Sequence, residues 1–333
     1  MVVNEKAQTR KYPLINRPNS IGFPFIWFTC LLLLTFVGCN SIDGGTQTAT
    51  PYEFASDLEN QVTRNADSLR QGRQIFWVGG CASCHGMPGS TEMAHPVLGG
   101  GLALNTPYGV FTVPNISPDQ ATGIGGWSEM DFANAMLRGV SPAGEHYFPA
   151  FPYASYAKMT HQDIRNLWSY LQTLPPVANE VAERDLRFPF NGRNVARLWN
   201  QLFFKPKKGI PLTEASAEIA RGQYLVEGPG HCAECHTPRG VFGGFNYARW
   251  LSGGPALDGE GVVPNITPHE TGLAGWSIDD IVYSLTPGMT HAEAGSFGEG
   301  MESVRRNIAM LPKQDQRAIA AYLMALPPVA TRQ

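Results

Sequence analysis

The chain has 333 residues, 43% of them hydrophobic and 16% charged, with a formal net charge of −3. That length allows two domains of ordinary size, each with its own core. Weak acidity and the lack of a basic stretch interleaved with aromatics exclude a nucleic-acid binder, and the 36 glycines and 26 prolines predict long loops between short helices.

The N-terminus reads as a targeting segment. Lys6, Arg10, Lys11 and Arg17 face the single acid Glu5, and residues 21–39, IGFPFIWFTCLLLLTFVGC, carry no charge. A basic region followed by an apolar run is an export signal. Its end, Phe36-Val37-Gly38-Cys39, resembles a lipobox, after which Cys39 would become a lipidated N-terminus. An uncleaved signal anchor, with Cys39 incidental, is the other reading. Both place the body of the protein outside the cytoplasm, on the periplasmic side of a bacterial inner membrane, tethered through its N-terminus. Residues 40–65 are expected to form a flexible tether.

Beyond the tether the chain repeats itself. RQGRQIFWVGGC (70–81) returns as ARGQYLVEGPGHC (220–232), and VPNISPDQATGIGGWS (113–128) as VPNITPHETGLAGWS (263–277). Likewise YLQTLPPV (170–177) returns as YLMALPPV (322–329). The period is too long for a solenoid. The pattern predicts two all-α domains of one fold, over 66–178 and 216–330, with about three core helices each and a linker over 179–215.

The first helix of each domain carries Leu69, Ile75 and Phe76, or Ile219, Tyr224 and Leu225. The middle helix starts behind Ser128 or Ser277, both good N-caps. The last helix runs over 160–174 or 312–326 with apolar residues at helical spacing, and stops at Pro-Pro. No run alternates strongly enough to predict a substantial sheet. In the linker, Val195, Leu198, Trp199, Leu202 and Phe203 share one helical face, read as an amphipathic helix packed against a domain.

Of six cysteines, Cys30 lies in the apolar run and Cys39 ends it. The other four stand in CASCH, with Cys81, Cys84 and His85, and in CAECH, with Cys232, Cys235 and His236. C-x-x-C-H is the attachment signature of c-type haem. Its two thiols add across the haem vinyl groups, and the adjacent imidazole meets the iron from one side. A redox C-x-x-C would expect a thioredoxin-like βαβ setting, and a zinc knuckle four ligands where each motif supplies at most three. Two motifs in a duplicated helical unit therefore predict two covalently bound haem c groups. Cys81, Cys84, Cys232 and Cys235 form the thioethers, and His85 and His236 are axial ligands.

A methionine as sixth ligand makes a high-potential electron carrier, since thioether sulfur favours ferrous iron; an empty position would admit peroxide. The first repeat offers Met87, Met93, Met130, Met136 and Met159. Met87 and Met93 lie very close to the attachment site, and Met130 and Met136 belong to a helix, where methionine is more often core filler. Met159, in a loop just before the last helix, is best placed. In the second repeat Met301, in the loop GSFGEGMESVRRN (295–307), leads Met310 and Met289. The position matching Met159 is Leu311, so the two sites do not draw this ligand from equivalent places. His95, His146, His161, His231, His269 and His291 are alternative ligands or, more commonly, surface or hydrogen-bonded histidines. Trp127 and Trp276 line a haem or fill a core. Pro114, Asn115, Pro264 and Asn265 shape the loop beside the haem edge, and Arg239 is a propionate partner or a solvated arginine.

These motifs, with YFPAFPYASYAKMT (147–160), GPGHCAECHTPR (228–239) and AIAAYLMALPPV (318–329), resemble the diheme c-type cytochromes, as found in the cytochrome c subunits of bacterial alcohol and gluconate dehydrogenases. The resemblance covers about residues 66–330. Relatives often carry PAMPY where this chain has PAFPY, and Phe151 cannot bind iron, which shifts that role to Met159. The third C-x-x-C-H of three-haem subunits is missing. The resemblance implies an electron carrier without bond chemistry of its own. A periplasmic or membrane-bound dehydrogenase would be the donor, and a quinone, another cytochrome or a terminal oxidase the acceptor. A diheme peroxidase, or another haem-based oxidation such as that of thiosulfate, is the competing reading.

Overall fold

The computed structural model describes residues 65–87, 96–192, 194–206, 209–212, 215–256, 261–287 and 297–331. The expected export segment, Cys39 and nearly all of the tether lie outside the described residues, as do Met93, His95, Met289 and His291. Among the described residues no helix is long and apolar enough to cross a membrane.

In the first half α1 (Ala66–Val78) leads into the short α2 (Cys81–His85); α3 (Glu129–Arg138), α4 (Tyr153–Tyr156) and α5 (His161–Leu171) follow. Next comes α6 (Val195–Phe203), and the second half repeats the order with α7 (Ala217–Glu227), α8 (Ala233–His236), α9 (Ile278–Ser284), α10 (Glu299–Ile308) and α11 (Lys313–Ala325). The loop after each motif holds a hairpin. In the first half β1 (Ala103–Thr106) pairs antiparallel with β2 (Gly109–Thr112), and β3 (Asp185–Leu186) adds at Gly109 and Val110. In the second, β4 (Gly254–Pro255) pairs with β5 (Val262–Val263).

Local chemistry sets the helix ends. Ser128 and Ser277 cap α3 and α9 with their hydroxyls, and Asp131 and Asp280 reach back to the cap amides, completing a capping box in both. Asn65 caps α1 in the same way with Ser68.

The first and last helices of each half cross where a glycine removes the side chain. A β-carbon on Gly72 would meet the Asn166 carbonyl oxygen at 2.0 Å, and one on Gly222 the Ala318 carbonyl oxygen at 1.8 Å. That approach lets Phe76 of α1 pack edge-on against Tyr170 of α5, ring centroids 5.3 Å apart. Phe76, Ile164, Leu167 and Leu171 in the first half, and Leu225 and Tyr322 in the second, are almost wholly withdrawn from water. Each large apolar side chain so buried contributes about 2 kcal/mol.

Two expectations need correction. Leu198 and Leu202 of α6 are 55% exposed; Ala196 and Trp199 are the buried pair, with Trp199 Nε1 donating to the Phe242 carbonyl at 2.8 Å. Bulk decides this: the indole reaches a carbonyl partner from one side of the helix, and only one stripe meets the body. Met301 stands in the first turn of α10 rather than in a loop. The matching stretch of the first half contains Pro149 and Pro152, which interrupt a helix; residues 298–311 contain no proline, so α10 runs on.

Candidate functional site

Each C-x-x-C-H segment is one short helical turn at the end of the first long helix. His85 Nδ1 donates to the Pro114 carbonyl at 2.8 Å, and His236 Nδ1 donates to the Pro264 carbonyl at 2.8 Å. A carbonyl only accepts, so Nδ1 carries the proton and Nε2 is left with its lone pair, the state a metal-binding imidazole requires. Burial pushes both imidazoles below the usual histidine value, against the opposing effect of the proline carbonyl. They are held neutral.

The carbonyls are themselves held. Asn115 donates to the Val177 carbonyl at 2.7 Å while its own oxygen accepts from the Ser117 amide; Asn265 does the same with Val329 and Thr267. The VPN segment is thus tied to the residues after Pro-Pro in both halves. The Gly100 amide donates to the His85 carbonyl, and the Gly253 amide to that of His236, which fixes the motif from below. Pro114, Asn115, Pro264 and Asn265 are therefore the frame that aims the histidines.

The four cysteines of the motifs are free thiols, Cys84 and Cys235 being the more exposed of each pair. Burial, reinforced by the neighbouring cysteine, pushes the Cys81 and Cys232 thiols up to about 12. That is opposite to the depressed value of a disulfide-exchanging C-x-x-C. Among the described residues no group of three or more histidine, cysteine or acidic side chains is arranged to hold a metal ion.

Cys81, Met159, Met136, Tyr156, Ile75 and Leu167 line one cleft in the first half. Met159 is 5% exposed, at the end of the turn after α4. Met136 reaches the same cleft from α3, whereas the Met87 sulfur lies beside Gly99. In the second half Leu311 occupies the place of Met159 with the same 5% exposure, and a hydrocarbon there cannot bind iron. Met301 is half-buried on α10, and Met310 is turned outward at 38% exposure.

The remaining candidates have other partners. Arg239 is neither solvated nor unpaired: it pairs with Glu234, donates to the Gly243 carbonyl and lies over the Phe245 ring. His269 bonds Thr271, and His161 opens α5. His146 neighbours Arg138 and Arg197; burial first, and those charges second, lower its pKa. His231 Nε2 lies 3.1 Å from the Gly79 carbonyl. Trp127 and Trp276 are half-buried against the core.

Sequence reasoning missed the groups that join the halves. Lys158, next to Met159, pairs with Glu227 at 3.2 Å, both largely buried, and Glu227 also accepts from Gln223, the Ile210 amide and Tyr322. Ser155 donates to Glu234, inside the second motif, at 2.6 Å, and Tyr224 bonds Asp163. Nothing in the repeat pattern signals them, because the partners stand at unlike positions of the two repeats.

The donor set fits a c-type haem: paired free thiols, an adjacent histidine with its lone pair available, and a thioether lining the first cleft. Residues 69–175 match the cytochrome c family model. A diheme cytochrome c-type protein of Cereibacter sphaeroides is 47% identical over 259 residues, which cover 78% of this chain and 86% of that one. The cytochrome c subunit of alcohol dehydrogenase (quinone) from Gluconacetobacter polyoxogenes is 35% identical over 86% of this chain and 62% of its own length. That of gluconate 2-dehydrogenase from Pantoea cypripedii is 34% identical over 82% and 62%.

Proposed function

This chain belongs to the c-type cytochromes, and from that premise we propose that it is a diheme electron carrier of two tandem cytochrome c domains. It is tethered by its N-terminus to the periplasmic side of a bacterial inner membrane, and passes electrons from a dehydrogenase to the respiratory chain. Cys81 and Cys84 hold one haem and Cys232 and Cys235 the other. His85 and His236 would bind the iron through imidazole nitrogen, and Met159 and Met301 through sulfur.

The bound iron supplies one-electron redox chemistry at a potential that thioether ligation raises. The chain does the rest. The Pro114 and Pro264 carbonyls fix the imidazole tautomer and strengthen the nitrogen donor. Met159, buried in the lining of the first cleft, would help keep water from a bound iron. The observation that carries the reading is the repetition of the histidine–carbonyl–asparagine frame at both motifs, which gives the two halves the same donor arrangement.

The donor is a dehydrogenase by analogy with the relatives' names, and the acceptor a quinone, a cytochrome or a terminal oxidase. The tether rests on the basic and apolar pattern of residues 1–39 alone. Expression in a host with haem-attachment machinery tests both parts. The mass should rise by two haems, and Cys81→Ala/Cys84→Ala should remove one and leave the other. The protein should sediment with membranes, and Cys39→Ala should release it if the anchor is lipid. A single haem, or peroxide turnover by the purified protein, would overturn the carrier reading.

A further inference from the structure

The residues just before the two motifs show the halves departing from their repeat. Gly80 precedes Cys81 in the left-handed conformation, φ 61°, which glycine adopts freely. His231 precedes Cys232 and is left-handed too, φ 38°. A β-carbon makes that conformation costly. The fold asks for glycine there and the first half supplies it; the second carries a strained histidine.

The ring's position accounts for the exchange. His231 Nε2 donates to the carbonyl of Gly79, the buried residue two places before Cys81, at 3.1 Å. The imidazole also stands edge-on to Tyr156, centroids 5.6 Å apart, and Tyr156 lines the cleft with Cys81 and Met159. A second contact comes from the same half. Asn307 Nδ2 donates at 2.9 Å to the hydroxyl of Ser83, between Cys81 and Cys84, and a β-carbon on Gly80 would lie 3.3 Å from the same amide. Asn307 is on α10, the helix that carries Met301. Two residues of the second half, His231 and Asn307, therefore reach into the attachment segment of the first.

We infer that His231 is a positioning residue for electron exchange between the two halves: by docking the second attachment segment on the first, it fixes the gap an electron must cross. The inference rests on the two-haem reading. With both groups bound, the exchange would move one electron from a reduced iron in one half to an oxidised iron in the other. No bond forms or breaks and no proton moves. Electron tunnelling falls steeply with distance, so a small relaxation at this contact is felt in the rate.

The test uses the full, haem-loaded protein with His231→Gly and His231→Gln. Each variant is first checked for two haems and for unchanged absorption spectra and midpoint potentials. A pulse of reductant then delivers less than one electron per molecule, and the redistribution between haems is followed by absorbance. His231→Gly relieves the strain and matches the first half, so a purely structural role predicts wild-type behaviour or better. Docking through the His231–Gly79 hydrogen bond predicts redistribution slowed by about tenfold with both spectra retained, and substantial recovery in His231→Gln, whose amide can donate to the same carbonyl. Wild-type redistribution in His231→Gly would overturn the inference. A haem count of one in the unaltered protein would overturn the underlying reading instead, and is recognised before any rate is measured.

Discussion

In the first half the candidate sulfur ligand arrives from a turn behind Pro149 and Pro152; in the second it stands in the first turn of α10. The proximal sides do not differ in this way. Histidine, proline carbonyl and asparagine repeat with the same 2.8 Å and 2.7 Å hydrogen bonds. The frame around the histidines is repeated where backbone geometry constrains it, whereas the candidate sulfurs stand at unlike places, and a long flexible methionine tolerates such a change of origin. The divergence at Gly80 and His231 is of the same kind: the backbone conformation is kept while the side chain changes task.

Substitution at the shared frame should have the largest effect and should be equal in the two halves. Gly72→Ala and Gly222→Ala each drive a methyl group into a carbonyl on the crossing helix, and each should cost about 3 kcal/mol in chemical denaturation. A large difference between them would mean that the halves do not share one packing scheme.

The distal residues should separate the halves. Met159→Ala removes a buried side chain and should cost about 3 kcal/mol, whereas Met301→Ala, half-buried, should cost about 1 kcal/mol. Each should also remove one of two low-spin signals in the oxidised protein's magnetic spectrum. Loss of neither in Met159→Ala would return the role to Met136, which lines the same cleft.

In the haem-free chain acid should act on both halves together. The folded pKa values of His85 and His236 lie below the ordinary value, so below about pH 6.5 the unfolded chain takes up protons that the folded chain refuses. Their contribution to stability is complete above that pH and shrinks as the pH falls. A denaturant midpoint that stays flat from pH 7 to pH 5 would contradict it.

The smallest effect sharpens the comparison most. Leu311→Met conserves volume and should change stability by less than about 1.5 kcal/mol. Alone it should leave the spectra unaltered. Combined with Met301→Ala it should restore a sulfur ligand, because the place matches that of Met159.

The frame was legible in the sequence because the sequence states it twice. The paired motifs, the VPN segments, the capping serines and the Pro-Pro stops recur at matching places, and local rules of helix start and stop convert them into α1, α3, α5 and their counterparts. The distal side was half legible. Met159 could be ranked by its place before the last helix, and the Leu311 mismatch was visible, but the helix under Met301 needed weight on the absence of proline from residues 298–311. Leu198 and Leu202 were misread because an apolar stripe does not say which part of it finds a neighbour. The contacts between halves, Lys158 with Glu227 and His231 with Gly79, join residues far apart in sequence and at unlike repeat positions, so no periodicity announces them.

If both halves hold a six-coordinate haem of the histidine–methionine type, a redox titration of the full protein, followed by optical absorption and low-temperature magnetic resonance, should show it. Two one-electron steps are expected, each from a low-spin ferric centre, with the methionine-to-iron charge-transfer band present for both. One step, or a high-spin centre in either half, would overturn that coordination.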